Sequence, residues 1–99
     1  MPKLVADEFD LESVCAFLDR NRPLRHLRAR KRGDTITLES GPKTDPIKHM
    51  RFRKVTRQWW TVEMATHTGR WEPTPFREPL LPLIEYVHAS FPWLLVSRE

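Results

Sequence analysis

A chain of 99 residues carrying a formal net charge of +4 has room for one modest hydrophobic core and not for two. Leu, Ile, Val and Phe supply 25 of the 99 positions, above the level of roughly 20% below which disorder is expected, so residues 1–99 are expected to fold as a single compact domain. No stretch approaches the 18 uncharged apolar residues of a membrane span, and the lone Cys15 excludes an internal disulfide framework and a cysteine-based zinc site.

The N-terminal MPKLVADEFD turns acidic too early for a secretory signal, so a cytoplasmic protein is expected. Residues 7–20, DEFDLESVCAFLDR, place Leu11, Val14, Cys15 and Leu18 at helical spacing with Phe17 beside them. Asp7 or Asp10 can cap the first turn, where acids also suit the positive end of the helix. Asn21 and Pro23 stop it. Cys15 falls on the apolar stripe and reads as a small core residue.

After Pro23 the period changes to two. Residues 24–32, LRHLRARKR, set Leu27 and Ala29 on one face and His26, Arg28, Arg30 and Arg32 on the other. Gly33-Asp34 is a turn signal. TITLES (35–40) points Ile36 and Leu38 inward, and a loop runs from Gly41-Pro42 to Pro46. IKHMRFRKV (47–55) points Met50 and Phe52 inward, with His49, Arg51 and Arg53 outward. QWWTVEMAT (58–66) points Trp60, Val62 and Met64 inward, with Trp59, Thr61, Glu63 and Ala65 outward. Four such strands make an antiparallel meander with one wet face.

The prolines at 73, 75 and 79 make residues 68–79 irregular, with Trp71 and Phe76 as buried anchors. A second helix starts between Pro79 and Pro82, carries Leu80, Leu83, Ile84, Val87 and Phe91 on its apolar face, and ends at Pro92. The FPWLLV segment that follows must be buried, as a short edge strand or beneath the helix. The expected fold is therefore α+β, in the order α-β-β-β-β-α, with two helices covering one face of a four-stranded antiparallel meander.

Charge is unevenly spread. Residues 1–19 hold one Lys against five acids, residues 20–57 hold thirteen Lys and Arg against three acids, and residues 58–99 hold three Arg against five Glu. A central block of this kind points to a polyanion or an acidic partner surface; it can also be balanced internally if the acidic helix packs against the basic sheet. On the sheet model, Arg28, Arg30, Arg32, Arg51, Arg53 and Trp59 share the wet face, and Arg25, Lys31, Lys48 and Lys54 extend the field from its edges. Guanidinium groups grip phosphates in bidentate fashion and an exposed aromatic ring stacks on a base. The expected function is a non-enzymatic nucleic-acid-binding domain, with single strands or RNA favoured, although no string such as KGFGFV occurs and Trp59 is a single aromatic where RNA sheets use two or three.

Other readings compete. A small inhibitor, immunity-type protein or complex subunit would dock the same basic face on an acidic protein. A small nuclease would be centred on His67 with Arg70. Trp59 and FPWLLV also offer a homodimer seam. The histidines at 26, 49, 67 and 88 show no HxH, HxxxH or HExxH spacing, so neither a metal nor a cofactor is expected. His26 and His49 could meet across strands, but each lies among arginines that would repel a cation. Glu63, His67 and Glu72 could gather for acid–base chemistry, but no nucleophile with an orienting base is evident.

Overall fold

The computed structural model describes residues 4–66 and 68–95. Helix α1 spans Glu8–Arg20 and opens on a reciprocal cap: Asp10 N–H donates to Asp7 Oδ1 at 2.8 Å and Asp7 N–H donates to Asp10 Oδ2 at 3.0 Å. The Asp10 backbone N–H holds the Asp7 carboxyl below its ordinary pKa. That contribution to stability is complete above the ordinary carboxylate range and is lost as pH falls through the lowered value. Val14, Phe17 and Leu18 are the buried positions of α1. Cys15 is only half-buried, a correction to its reading as core, because the stripe centres on Phe17, whose ring meets His88 of the second helix edge-on at 5.9 Å. Burial, and then Asp19 and Glu12, push the Cys15 thiol upward.

Pro23 then sits inside a 3-10 turn over Arg22–Leu24, not at the start of a strand. Strand β1 therefore covers Arg28–Arg32 alone, followed by β2 (Thr35–Ser40), β3 (Ile47–Lys54) and β4 (Trp60–Ala65). Between β1 and β2, Gly33 takes φ 59° while Asp34 does not have positive φ. That is the arrangement of a type II′ hairpin, which wants glycine at its first central position. The alternation holds where the core forms: Ile36, Leu38, Met50, Phe52, Trp60 and Val62 are all buried against the helices.

The sheet has five strands, in the order β1-β2-β3-β4-β5, all neighbouring pairs antiparallel. The fifth strand, β5, is Trp71–Pro73, inside the segment expected to be irregular. Proline is tolerated there because β5 is an edge strand, where one side of the backbone needs no ladder partner. Beyond it the chain keeps following β4: Thr74 Oγ1 donates to Val62 O at 2.7 Å, and Trp60 and Glu78 exchange backbone hydrogen bonds. Helix α2 (Leu80–Ser90) buries Leu80, Leu83, Ile84 and Val87. After it, Pro92–Leu95 forms a 3-10 turn rather than an edge strand; Val96, the last residue of FPWLLV, lies outside the described residues. No helix among the described residues is long and apolar enough to cross a membrane.

Candidate nucleic-acid interface

Register decides which side chains share the solvent face. Across the sheet, Arg32, Thr35, Arg53 and Thr61 form one row, and Arg30, Thr37, Arg51, Glu63 and Pro73 form the next. Arg28 stands opposite Glu39, and Ala65 opposite Trp71. Trp59 precedes β4 and is 45% exposed; its neighbour Trp60 is in the core, so alternation sends Trp59 to the Thr61 side.

Three of the five arginines are already held by acids on the same face. The Arg51 guanidinium donates from Nε to Glu63 Oε1 at 2.6 Å. Arg53 donates from Nε to the same oxygen at 3.3 Å and from Nη1 to both Asp34 oxygens at 2.9 and 3.0 Å. Burial works against the Arg53 charge, but the Asp34 hydrogen bonds and the Glu63 charge outweigh it, so its pKa is raised. Arg28 donates to Glu39 Oε1 at 3.3 Å and to Gly41 O at 2.6 Å. Glu39 is buried at 3% exposure, and Arg28 Nη2 and Glu39 Oε2 find no hydrogen-bond partner among the described residues. Arg30 and Arg32 differ: both are exposed and neither makes an ion pair or side-chain hydrogen bond with any described residue. Lys43 and Lys48 are likewise exposed and unpaired among the described residues.

Three further cations of the central block are used elsewhere. Lys31 pairs with Glu8 at 3.3 Å and Lys54 with Asp10 at 3.1 Å, both acids of α1, and Arg25 donates to Asp19 O at 3.2 Å. The acidic helix thus balances two lysines on the core side of the sheet, and leaves the opposite face alone.

A second aromatic belongs to that face. Trp71 is a half-buried side chain of the edge strand rather than a core anchor, and the Arg51 guanidinium lies over its ring, 4.4 Å from the centroid. Such a contact contributes about 0.5–1 kcal/mol when exposed and more when desolvated. Spacing within the sequence does not reveal this pairing, because it depends on β5 joining β4.

Two histidines leave the face. A register irregularity between Leu38 and Glu39 sets Met50 opposite Leu38 and Lys48 opposite Glu39, so His49 is the extra residue of a β-bulge and turns inward beside Met50. His49 is 3% exposed. Its Nε2 is 2.8 Å from Ser40 Oγ and its Nδ1 3.0 Å from Leu94 O. His26, ahead of β1, places Nε2 2.7 Å from Leu95 O. The two rings do meet, edge-on at 6.2 Å, and together they fasten the C-terminal 3-10 turn to the sheet. Ser40 beside His49 is a hydroxyl–imidazole pair that spacing did not disclose. Both members are buried, so a substrate has no direct approach to them. Replacing His49 by Leu strands the Ser40 hydroxyl and the Leu94 carbonyl, and is expected to lower stability by about 1–3 kcal/mol in urea unfolding.

Among the described residues, no three His, Cys, Asp or Glu side chains gather as a metal site; His67, the centre of the nuclease reading, lies outside them. Compared with protein-family models, curated proteins and solved structures, the chain finds no match.

Proposed function

We propose that this protein binds single-stranded nucleic acid through the solvent face of its sheet, gripping the backbone with weak base preference and without catalysing a reaction. The observation that carries the reading is the pair of exposed guanidinium groups of Arg30 and Arg32, unpaired among the described residues, on the solvent face of the sheet, with exposed Trp59 just ahead of β4. Unpaired cations are the ones that release counterions when they meet phosphate. Arg28, Arg51 and Arg53 support the face differently: their acids already neutralise them, so they stiffen it, and Arg51 also holds Trp71. Lys43 and Lys48 extend the free charge along the β2–β3 side.

Fluorescence anisotropy with a labelled single strand tests this. Trp59→Ala is expected to weaken single-strand binding more than duplex binding, at an almost unchanged salt dependence, because stacking releases no ions. A mixed polynucleotide competitor should displace the strand. If the protein ignores every strand and duplex offered, the reading fails and an acidic protein becomes the partner to seek on the same face.

Glu63 supplies an independent check, since it holds both Arg51 and Arg53. Glu63→Gln removes one negative charge and loosens two guanidinium groups. The variant is expected to bind single strands more tightly, with a salt slope steeper by about 0.9. Weaker binding in a folded Glu63→Gln protein would mean that the arginines act through their fixed positions rather than their charge.

A further inference from the structure

At the β4–β5 end of the solvent face, Pro46, Lys48, Ala65, Thr66, Arg70 and Trp71, with Gly69, line a cleft of about 370 Å³. That volume is within the range of small-ligand sites, roughly 300–1,000 Å³. We infer that this cleft is a nucleotide subsite, in which the Trp71 indole stacks on one base while Lys48 and Arg70 hold its phosphate. The inference rests on the nucleic-acid reading above and adds a defined place for one nucleotide.

Three features build the site. The indole is preorganised: Arg51 lies over its ring at 4.4 Å and is itself fixed by Glu63 at 2.6 Å. The charges are available, because Lys48 and Arg70 are exposed and neither side chain has an ion pair or hydrogen bond with any described residue. The wall is shaped by the turn after β4. Thr66 N–H donates to Arg70 O at 2.9 Å, and Arg70 N–H donates back to Thr66 Oγ1 at 3.2 Å. Gly69 passes through φ 82° in that turn, with nothing within 4 Å of where a Cβ would lie, so the wall stays low beside the cleft. Ala65 and Pro46 present small apolar surfaces against a base. An aromatic face beside two unpaired cations fits a phosphorylated nucleoside better than a nucleoside or phosphate alone.

The full chain is titrated with adenosine monophosphate, adenosine and inorganic phosphate, and the indole N–H signals are followed by NMR, with Trp71 assigned through Trp71→Phe. The monophosphate is expected to shift the Trp71 signal saturably, with adenosine and phosphate each at least about tenfold weaker. Lys48→Ala with Arg70→Ala, both surface changes that spare the fold, should weaken the monophosphate by roughly tenfold or more. An unmoved Trp71 signal, or an unchanged affinity in the double variant, overturns the subsite. If oligonucleotides bind through Arg30 and Arg32 while Trp71 stays silent, the subsite fails and the sheet-face reading stands. If the monophosphate binds at Trp71 while no oligonucleotide binds, the subsite stands and the strand-binding reading fails.

Discussion

Trp60→Ala is expected to leave this protein largely unfolded at 37 °C. The Trp60 ring is 2% exposed and lies in the same core as Phe52, Val62, Leu83 and Ile84. Removing a buried Trp or Phe side chain costs roughly 3–5 kcal/mol, through lost transfer free energy and the cavity left behind. A domain of this size has only about 5–10 kcal/mol in total. Trp59→Ala, one residue away, should cost about 1 kcal/mol or less, since its ring is 45% exposed. Urea unfolding of the two variants measures the contrast. An intact Trp60→Ala protein beside an unfolded Trp59→Ala protein would place the β4 register one residue off, and move every outward side chain of that strand to the core.

The largest functional effect should come from salt. Engagement of phosphate by four of the unpaired cations, Arg30, Arg32, Lys43 and Lys48, gives a slope of log affinity against log salt of about −3.6. Raising salt from roughly 50 to 200 mM should then weaken single-strand binding on the order of a hundredfold. Arg30→Ala with Arg32→Ala should flatten the slope by nearly 2 and weaken all sequences alike. Arg51→Ala with Arg53→Ala should change the slope less, because Glu63 and Asp34 already neutralise that pair. Anisotropy titrations at several salt concentrations separate the two variants. Equal flattening by both pairs would show that the ion pairs open on binding. A slope near zero for every nucleic acid would remove the nucleic-acid reading.

The contrast between those two arginine pairs marks the limit of what periodicity reveals. Alternation in TITLES and in QWWTVEMAT identified Ile36, Leu38, Trp60 and Val62 as core, because a two-residue period with one wet face leaves few other solutions. The two helices were legible for a similar reason, apolar spacing near 3.6; the sequence narrows their starts to Asp7 or Asp10 and to Pro79–Pro82, and the structure caps them at Asp7 and Pro79. The arginines of β1 and β3 were correctly sent to the opposite face. Which of them stay free was not legible, since Arg51 and Arg53 meet Glu63 across a strand boundary and Arg53 meets Asp34 across the β1–β2 turn.

Where the chain departs from a local rule, the reason is tertiary. The His49 side chain turns inward because the bulge gives it a place between Ser40 and the C-terminal turn. Within residues 68–79 only Pro73 enters a strand, and it is tolerated because β5 lies at the edge, where Trp71–Pro73 needs just one ladder; Pro75 and Pro79 stay outside the strand. Local spacing and composition therefore determined the helices, the core strands and the sign of the wet face, all consequences of which side of an element must avoid water. The tertiary structure alone decided the fifth strand, the buried Ser40–His49 contact, the partners of Arg28, Arg51 and Arg53, and the Trp71 cleft. Each of these depends on residues far apart in sequence sharing a strand pair or a turn, and no short-range period encodes such a meeting.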